Sequence, residues 1–204
     1  MSLDRPPLAC LRTTITAQNW SGTLHVRSLM DGRVRNDNVA EFDALAKHQL
    51  TEPASGDEGG TWWLVTETTQ SRVRIALAAH TTLNHDCGAP VAADRRVVHG
   101  PGHIGHEWTA AVETGVPVTV DKTAAIFTSR DNAISEPLHA ARVAVADALG
   151  FPALRAAHTL AWHTCSTTAA TATGSAFRRP GAASTRSPKL RQHWRRRFAF
   201  TWPT

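Results

Sequence analysis

Over residues 23–29, Leu24, Val26 and Ser28 alternate with His25 and Arg27. A period of two is that of a half-buried strand, and the preceding Ser21-Gly22 pair reads as a turn. Thr61–Thr68 is rich in Trp, Val and Thr, while residues 71–79 set Val73, Ile75 and Leu77 against Arg72 and Arg74. These two segments predict a hairpin closed through Thr69-Gln70. Val116, Val118 and Val120 place a further strand within 116–128. Between the strands, residues 52–60 carry the Gly, Pro and charge content of an exposed loop, and residues 84–105 read as similarly irregular.

The period changes after Asp131. Leu138, Ala141, Val145 and Leu149 fall on one face of a 3.6-residue helix, with Ser135 as N-cap, Pro137 in the first turn and Gly150 as the C-terminal stop. Phe151, Leu154, His158, Ala161 and Trp162 form a second amphipathic stripe. The pattern stops beyond Trp162. Residues 163–185 are mostly Thr, Ala, Ser, Gly and Arg, a composition that buries too little apolar surface to offset ordering entropy. The expected organisation is a β-rich region over 1–131, a helical hairpin over 132–162 and a disordered basic tail over 163–204.

Charge sharpens that division. Of the 22 Lys and Arg, eight lie after residue 162 with no acidic residue among them, so residues 1–162 carry a net charge of −3 within a chain of net +5. The basic character belongs to the tail, and the body is an ordinary soluble domain. No apolar run reaches the roughly 18–20 residues of a membrane span, and the N-terminus has no signal-peptide core. A cytoplasmic location and no membrane partner are therefore expected. Cys10, Cys87 and Cys165 are odd in number and widely spaced, which suggests reduced thiols rather than a disulfide framework or a structural zinc site.

Read together, several short segments resemble the N-terminal β-sandwich region of glycoside hydrolase family 65, the trehalose, maltose and kojibiose phosphorylases and related α-glucoside hydrolases. They are Asn19-Trp20-Ser21-Gly22, Leu29-Met30-Asp31-Gly32-Arg33-Val34 with Asn36, Gln70-Ser71-Arg72 and Val118-Thr119-Val120-Asp121-Lys122. Phe127-Thr128-Ser129-Arg130-Asp131, Ile134-Ser135-Glu136-Pro137, and His158 with Ala161-Trp162 continue the series. Their order and spacing over residues 8–162 carry the likeness. The resemblance implies a mainly β chain, a partial sandwich of the galactose-mutarotase-like supersandwich type, followed by the start of a helical linker. In the family an (α/α)6 barrel follows and carries the chemistry, inverting displacement at an α-glucoside by phosphate or water. The implied partners of an intact relative are an α-linked glucose disaccharide, phosphate and a second copy of the chain.

The likeness starts abruptly at Leu8 and ends at Trp162 or His163, so this chain is expected to be an internal fragment lacking the barrel. A basic, low-complexity stretch directly after an intact motif is what an out-of-frame reading of GC-rich DNA yields, which points to a frameshift near codon 163. Exposed strand edges and an uncovered apolar face would then favour aggregation. With the barrel absent, no catalytic, cofactor-binding or metal-ligating residue is assigned to this chain, and no cofactor is expected.

The residues themselves offer weaker candidates. Glu107, Glu113, Asp121, Asp131 and Glu136 could pair as acid and base, but loop, strand-end and helix-start positions favour solvated or capping roles. Arg130 and Asp131 suit a turn. His99, His103 and His106 have ligand chemistry, yet Gly100, Pro101, Gly102 and Gly105 argue for a mobile loop rather than a helix face. Trp20, Trp62, Trp63 and Trp108 could stack on sugars. Trp62 and Trp63 must point to opposite sheet faces, and a core role is favoured. Arg191, Arg195, Arg196 and Arg197, with His193 and interleaved Trp194, Phe198, Phe200 and Trp202, have nucleic-acid-binding chemistry. A meaningless basic tail is the preferred reading, so nucleic acid is not the expected partner.

Overall fold

The computed structural model describes residues 1–33, 50–131 and 136–173. Contacts gather the chain into two units, 1–162 and 163–204. The first unit holds eight strands among the described residues: β1 (Leu8–Thr16), β2 (Gly22–Asp31), β3 (Leu50–Glu58), β4 (Thr61–Thr68), β5 (Arg74–His85), β6 (Ala93–Gly100), β7 (His103–Val112) and β8 (Pro117–Thr128). Helices α1 (Pro137–Ala146) and α2 (Phe151–Thr173) follow. A five-stranded sheet has the order β1-β8-β5-β4-β3, and a three-stranded sheet the order β2-β7-β6. All neighbours are antiparallel.

Alternation decides which side chains fill the space between the sheets. Leu24, Val26 and Met30 of β2 and Ile104, Trp108 and Val112 of β7 meet Trp62, Leu64, Leu83, Val118 and Val120 of the larger sheet in one core. Each large side chain withdrawn from water there contributes about 1.5–3 kcal/mol. The other face of the larger sheet is covered as well. Leu8, Val65, Ala76, Ala78 and Ala125 pack under Ala141, Val145 and Leu154 of the two helices. The larger sheet is thus buried on both faces, which is why β5 lacks the clean alternation of β2.

Several expectations are corrected. Residues 52–60 are not a loop, because β3 pairs with β4 through a hairpin whose Gly59 and Gly60 have φ of +61° and +83°. Two consecutive positive φ values suit the tight two-residue turn of a twisted hairpin. The register shifts between Thr51 and Ala54, so Pro53 sits at a bulge, where a missing N–H is tolerated. Gly56 lies opposite Trp63, and a Cβ there would come within 2.6 Å of the indole. Glycine makes room for a ring. Residues 84–105 are irregular only over 86–92, since β5 runs to His85 and β6, from Ala93, pairs with β7 across the Pro101-Gly102 turn. A polar edge strand offers little hydrophobic signal to sequence.

The helical hairpin is present, with shifted ends. α1 stops at Ala146, capped at Asp147, so Leu149 leaves the apolar stripe and is 55% exposed. Gly150 does not end α1. Its carbonyl accepts from the N–H groups of Ala153 and Leu154 and opens α2. The N-cap of α1 is Glu136, without a side-chain cap hydrogen bond. Ser135 lies outside the described residues, as do Ile134, Val34 and Asn36. On α2, Leu154 is buried and Phe151, His158 and Ala161 are half-buried, whereas Trp162 is 59% exposed, so the second stripe holds as far as Ala161. In the second unit, α2 runs on to Thr173, which corrects the disordered reading for residues 163–173. Residues 174–204, with the arginine cluster, lie outside the described residues.

Candidate functional site

The chemistry of the first unit concentrates between its two sheets. Register puts Ser28 of β2 beside His106 of β7 in the smaller sheet, and Thr81 of β5 beside Lys122 of β8 in the larger. Alternation turns all four inward, where they form a polar band through an otherwise apolar core. The Ser28 and Thr81 hydroxyls bond across the sheets at 3.1 Å. Lys122 Nζ donates to the Leu29 carbonyl at 2.8 Å and stands 5.8 Å from the centre of the Trp62 ring. Burial pushes the Lys122 ammonium down to about 8.

At the centre, His106 is flanked by Trp62 and Trp108, with ring centroids 4.5 and 5.4 Å away. Its Nε2 lies 2.6 Å from Asp57 Oδ2 on β3. Burial drives the imidazole below its ordinary value, the Asp57 carboxylate opposes that shift, and Arg95 and His80 reinforce it. Burial thus favours the neutral ring. Nε2–H donates to the carboxylate as a charge-assisted hydrogen bond, and Nδ1 keeps a lone pair.

A second set of polar contacts ties β3 to the β6–β7 hairpin. Ser55 Oγ lies 2.5 Å from Glu52 Oε1 and 2.9 Å from His99 Nε2, and Glu52 Oε2 accepts the Gly102 N–H. Glu52, Ala54, Ser55, His99, Gly100 and Pro101 line an open concavity there. The order of this trio matters, because the carboxylate holds the serine rather than orienting the histidine. An activated serine nucleophile requires the reverse arrangement. The contacts serve to close the sandwich edge.

The sequence candidates are dispersed. Glu107 lies on the outer face of the smaller sheet and takes Nε bonds from Arg27 at 2.7 Å and Arg96 at 3.0 Å. Those guanidiniums, Arg96 foremost, hold its carboxyl below the usual range. It is buried rather than solvated, with both oxygens engaged. Asp121 is gripped by Arg12 at 2.6 and 2.7 Å. Asp131 orders the expected turn by accepting from Thr128 N–H and Oγ1. Glu113 is exposed beside the β7–β8 turn, and Glu136 caps α1 by position only.

The three histidines are not on a mobile loop. The β6–β7 hairpin sends His99 to Ser55, His103 over its own turn toward the Pro101 carbonyl, and His106 into the core. Trp62 and Trp108 are core residues, Trp63 is half-buried under the helices, and Trp20 is 43% exposed. Sequence reasoning missed Asp57 and Lys122, although Lys122 shares the inward phase of Val118 and Val120. No helix among the described residues is long and apolar enough to cross a membrane.

Two antiparallel sheets packed face to face, with a helical pair on the outside of the larger, define an α-capped β-sandwich. The chain belongs to glycosyl hydrolase family 65, whose N-terminal domain model matches residues 1–165. An uncharacterized glycosyl hydrolase of Mycobacterium tuberculosis, present in strains CDC 1551 / Oshkosh and H37Rv, is 37% identical over 161 residues. That alignment covers 79% of this chain and spans only 12% of the relative. A solved structure, described as that of a kojibiose phosphorylase from human microbiome, superposes with a TM-score of 0.57 at 10% identity. It covers 77% of this chain and 19% of that one, and it supports the fold.

Proposed function

We propose that this chain is the sandwich portion of an α-glucoside phosphorylase or hydrolase and is itself a non-catalytic scaffold. The observation that carries this reading is the filled interior. Trp62, Leu64, Ile104 and His106 occupy the space between the sheets, Asp57 is committed to His106, and Glu107 on the outer face is committed to arginine partners. Inverting transfer at a glucoside needs a proton donor and a nucleophile on opposite sides of a bound sugar, and these belong to the family's barrel. The parent enzyme would act in cytoplasmic carbohydrate metabolism on trehalose, maltose or kojibiose, with phosphate in the phosphorylase case, as a homodimer. The frameshift near codon 163 belongs to the same reading.

The purified 204-residue chain is to be incubated with each disaccharide, with and without phosphate, and assayed for glucose and glucose 1-phosphate. No release is expected, and turnover of any of the three sinks the scaffold reading. Reading the coding DNA past codon 163 in all frames tests the fragment reading. Another frame that continues into a barrel supports it, and the lack of one removes it. Trp20, with its exposed indole, favours a second reading as a carbohydrate-binding module. Saturable quenching of tryptophan fluorescence by those sugars, lost in Trp20→Ala, would select it.

A further inference from the structure

We infer that the sandwich interior contains a built site for one ordered water molecule, held between Trp62 Nε1 and His106 Nδ1. Both side chains are 0% exposed, and neither of these two nitrogens has a hydrogen-bond partner within the protein. Buried polar atoms are nearly always satisfied, so two orphans on touching rings point to a shared ligand.

The two atoms are chemically complementary. An indole Nε1–H can only donate. His106 gives its Nε2 proton to Asp57 at 2.6 Å, which leaves Nδ1 as an acceptor. A ligand that accepts from one and donates to the other satisfies both, and water does so with its smallest possible volume. The ring centroids are 4.5 Å apart at a tilt of 57°, so the rings are not stacked flat against each other. The surroundings are polar enough to retain such a molecule. Ser28 is the cross-strand neighbour of His106, Thr81 is that of Lys122, and the Lys122 ammonium stands over the Trp62 ring. Internal waters typically make about three hydrogen bonds, and this band offers donors and acceptors beyond the two orphans.

The inference is independent of the proposed function and is tested on the full chain. The Trp62 indole proton is assigned by comparison with Trp62→Phe, and its cross-relaxation with water is measured in rotating-frame spectra of labelled protein. A direct water cross-peak of sign opposite to chemical exchange is expected, together with loss of one long-lived water in oxygen-17 relaxation dispersion of the variant. A crystal structure near 1.2 Å should show the oxygen within hydrogen-bonding distance of both nitrogens. A direct Trp62–His106 hydrogen bond, or an indole proton without water cross-relaxation, overturns the inference. Should Trp62→Phe fail to fold, the crystal structure and the wild-type spectrum decide it alone.

Discussion

His106, buried, and Lys122, half-buried, are both ionisable and both shifted downward by burial, yet they act in opposite pH ranges. For His106 the folded value lies below 6.5, so folding favours the neutral ring. Above that pH both states are neutral. As pH falls below 6.5 the unfolded chain takes the proton first, and stability declines until the folded value is passed. Urea denaturation at pH 7.5 and 5.5 should show this loss, and His106→Gln should reduce it. For Lys122, lowered from 10.5 to about 8, the unfolded chain holds the extra proton between those values. Stability should therefore rise with pH across 8–10.5, by about 3 kcal/mol at most. Lys122→Met, which replaces a buried charge with an apolar chain of similar length, is expected to abolish that rise and to match or exceed the wild-type Tm at pH 7. A large loss of Tm would show that the bond to the Leu29 carbonyl outweighs the burial of charge. At this scale the sequence was half informative. The phase of Ile104, His106 and Trp108 and of Val118, Val120 and Lys122 holds the signal that both groups point inside, but the glycines around His106 suggested a loop and Lys122 was passed over. Asp57 escaped because its strand did.

Element boundaries follow the same logic. β2, β4 and β8 are readable because each carries large apolar residues at fixed phase, whereas β3 and β6 are strands by virtue of their partners. β3 contains Pro53, Gly56 and Gly59-adjacent charge, and only the ladder to β4 makes it extended. The α1 stop at Ala146 was obscured because the apolar period continues in sequence to Leu149 after the backbone has left the helix. One element contact makes a sharp prediction. A Cβ on Gly105 would run into the Ser28 carbonyl oxygen and lie 2.7 Å from Leu29 Cα. β2 and β7 approach too closely there for any side chain. Gly105→Ala should cost about 1–3 kcal/mol, read as a lower Tm by calorimetry, with the loss assigned to overpacking. An unchanged Tm would mean that the two strands separate at little cost.

For the first unit as a whole, the anticipated bare apolar face is absent from the larger sheet, which has core on one side and helices on the other. The outer face of the smaller sheet carries the Arg27–Glu107–Arg96 ladder instead. Edges remain. Among the described residues β1 is an end strand with neither proline nor bulge over Leu8–Thr16, unlike the bulged β3 at the other end. Unprotected edges template further pairing. Sedimentation velocity over a rising concentration series should therefore show reversible self-association, and a single monomeric species throughout would refute it. The tail's chemistry was legible only as composition, since no period in residues 163–204 couples it to a partner surface.

The most deeply buried part of the joint between the larger sheet and α1 is made of methyl groups. Ala76, Ala78 and Ala125 from the strands meet Ala141 from the helix, all nearly inaccessible to solvent. Such a surface discriminates by volume more than by polarity. A saturation library at these four positions should therefore retain glycine and serine and discard leucine and phenylalanine. Variation in this lineage would then be policed at that joint by a size limit of a few tens of cubic ångströms, about the volume of one or two methylene groups.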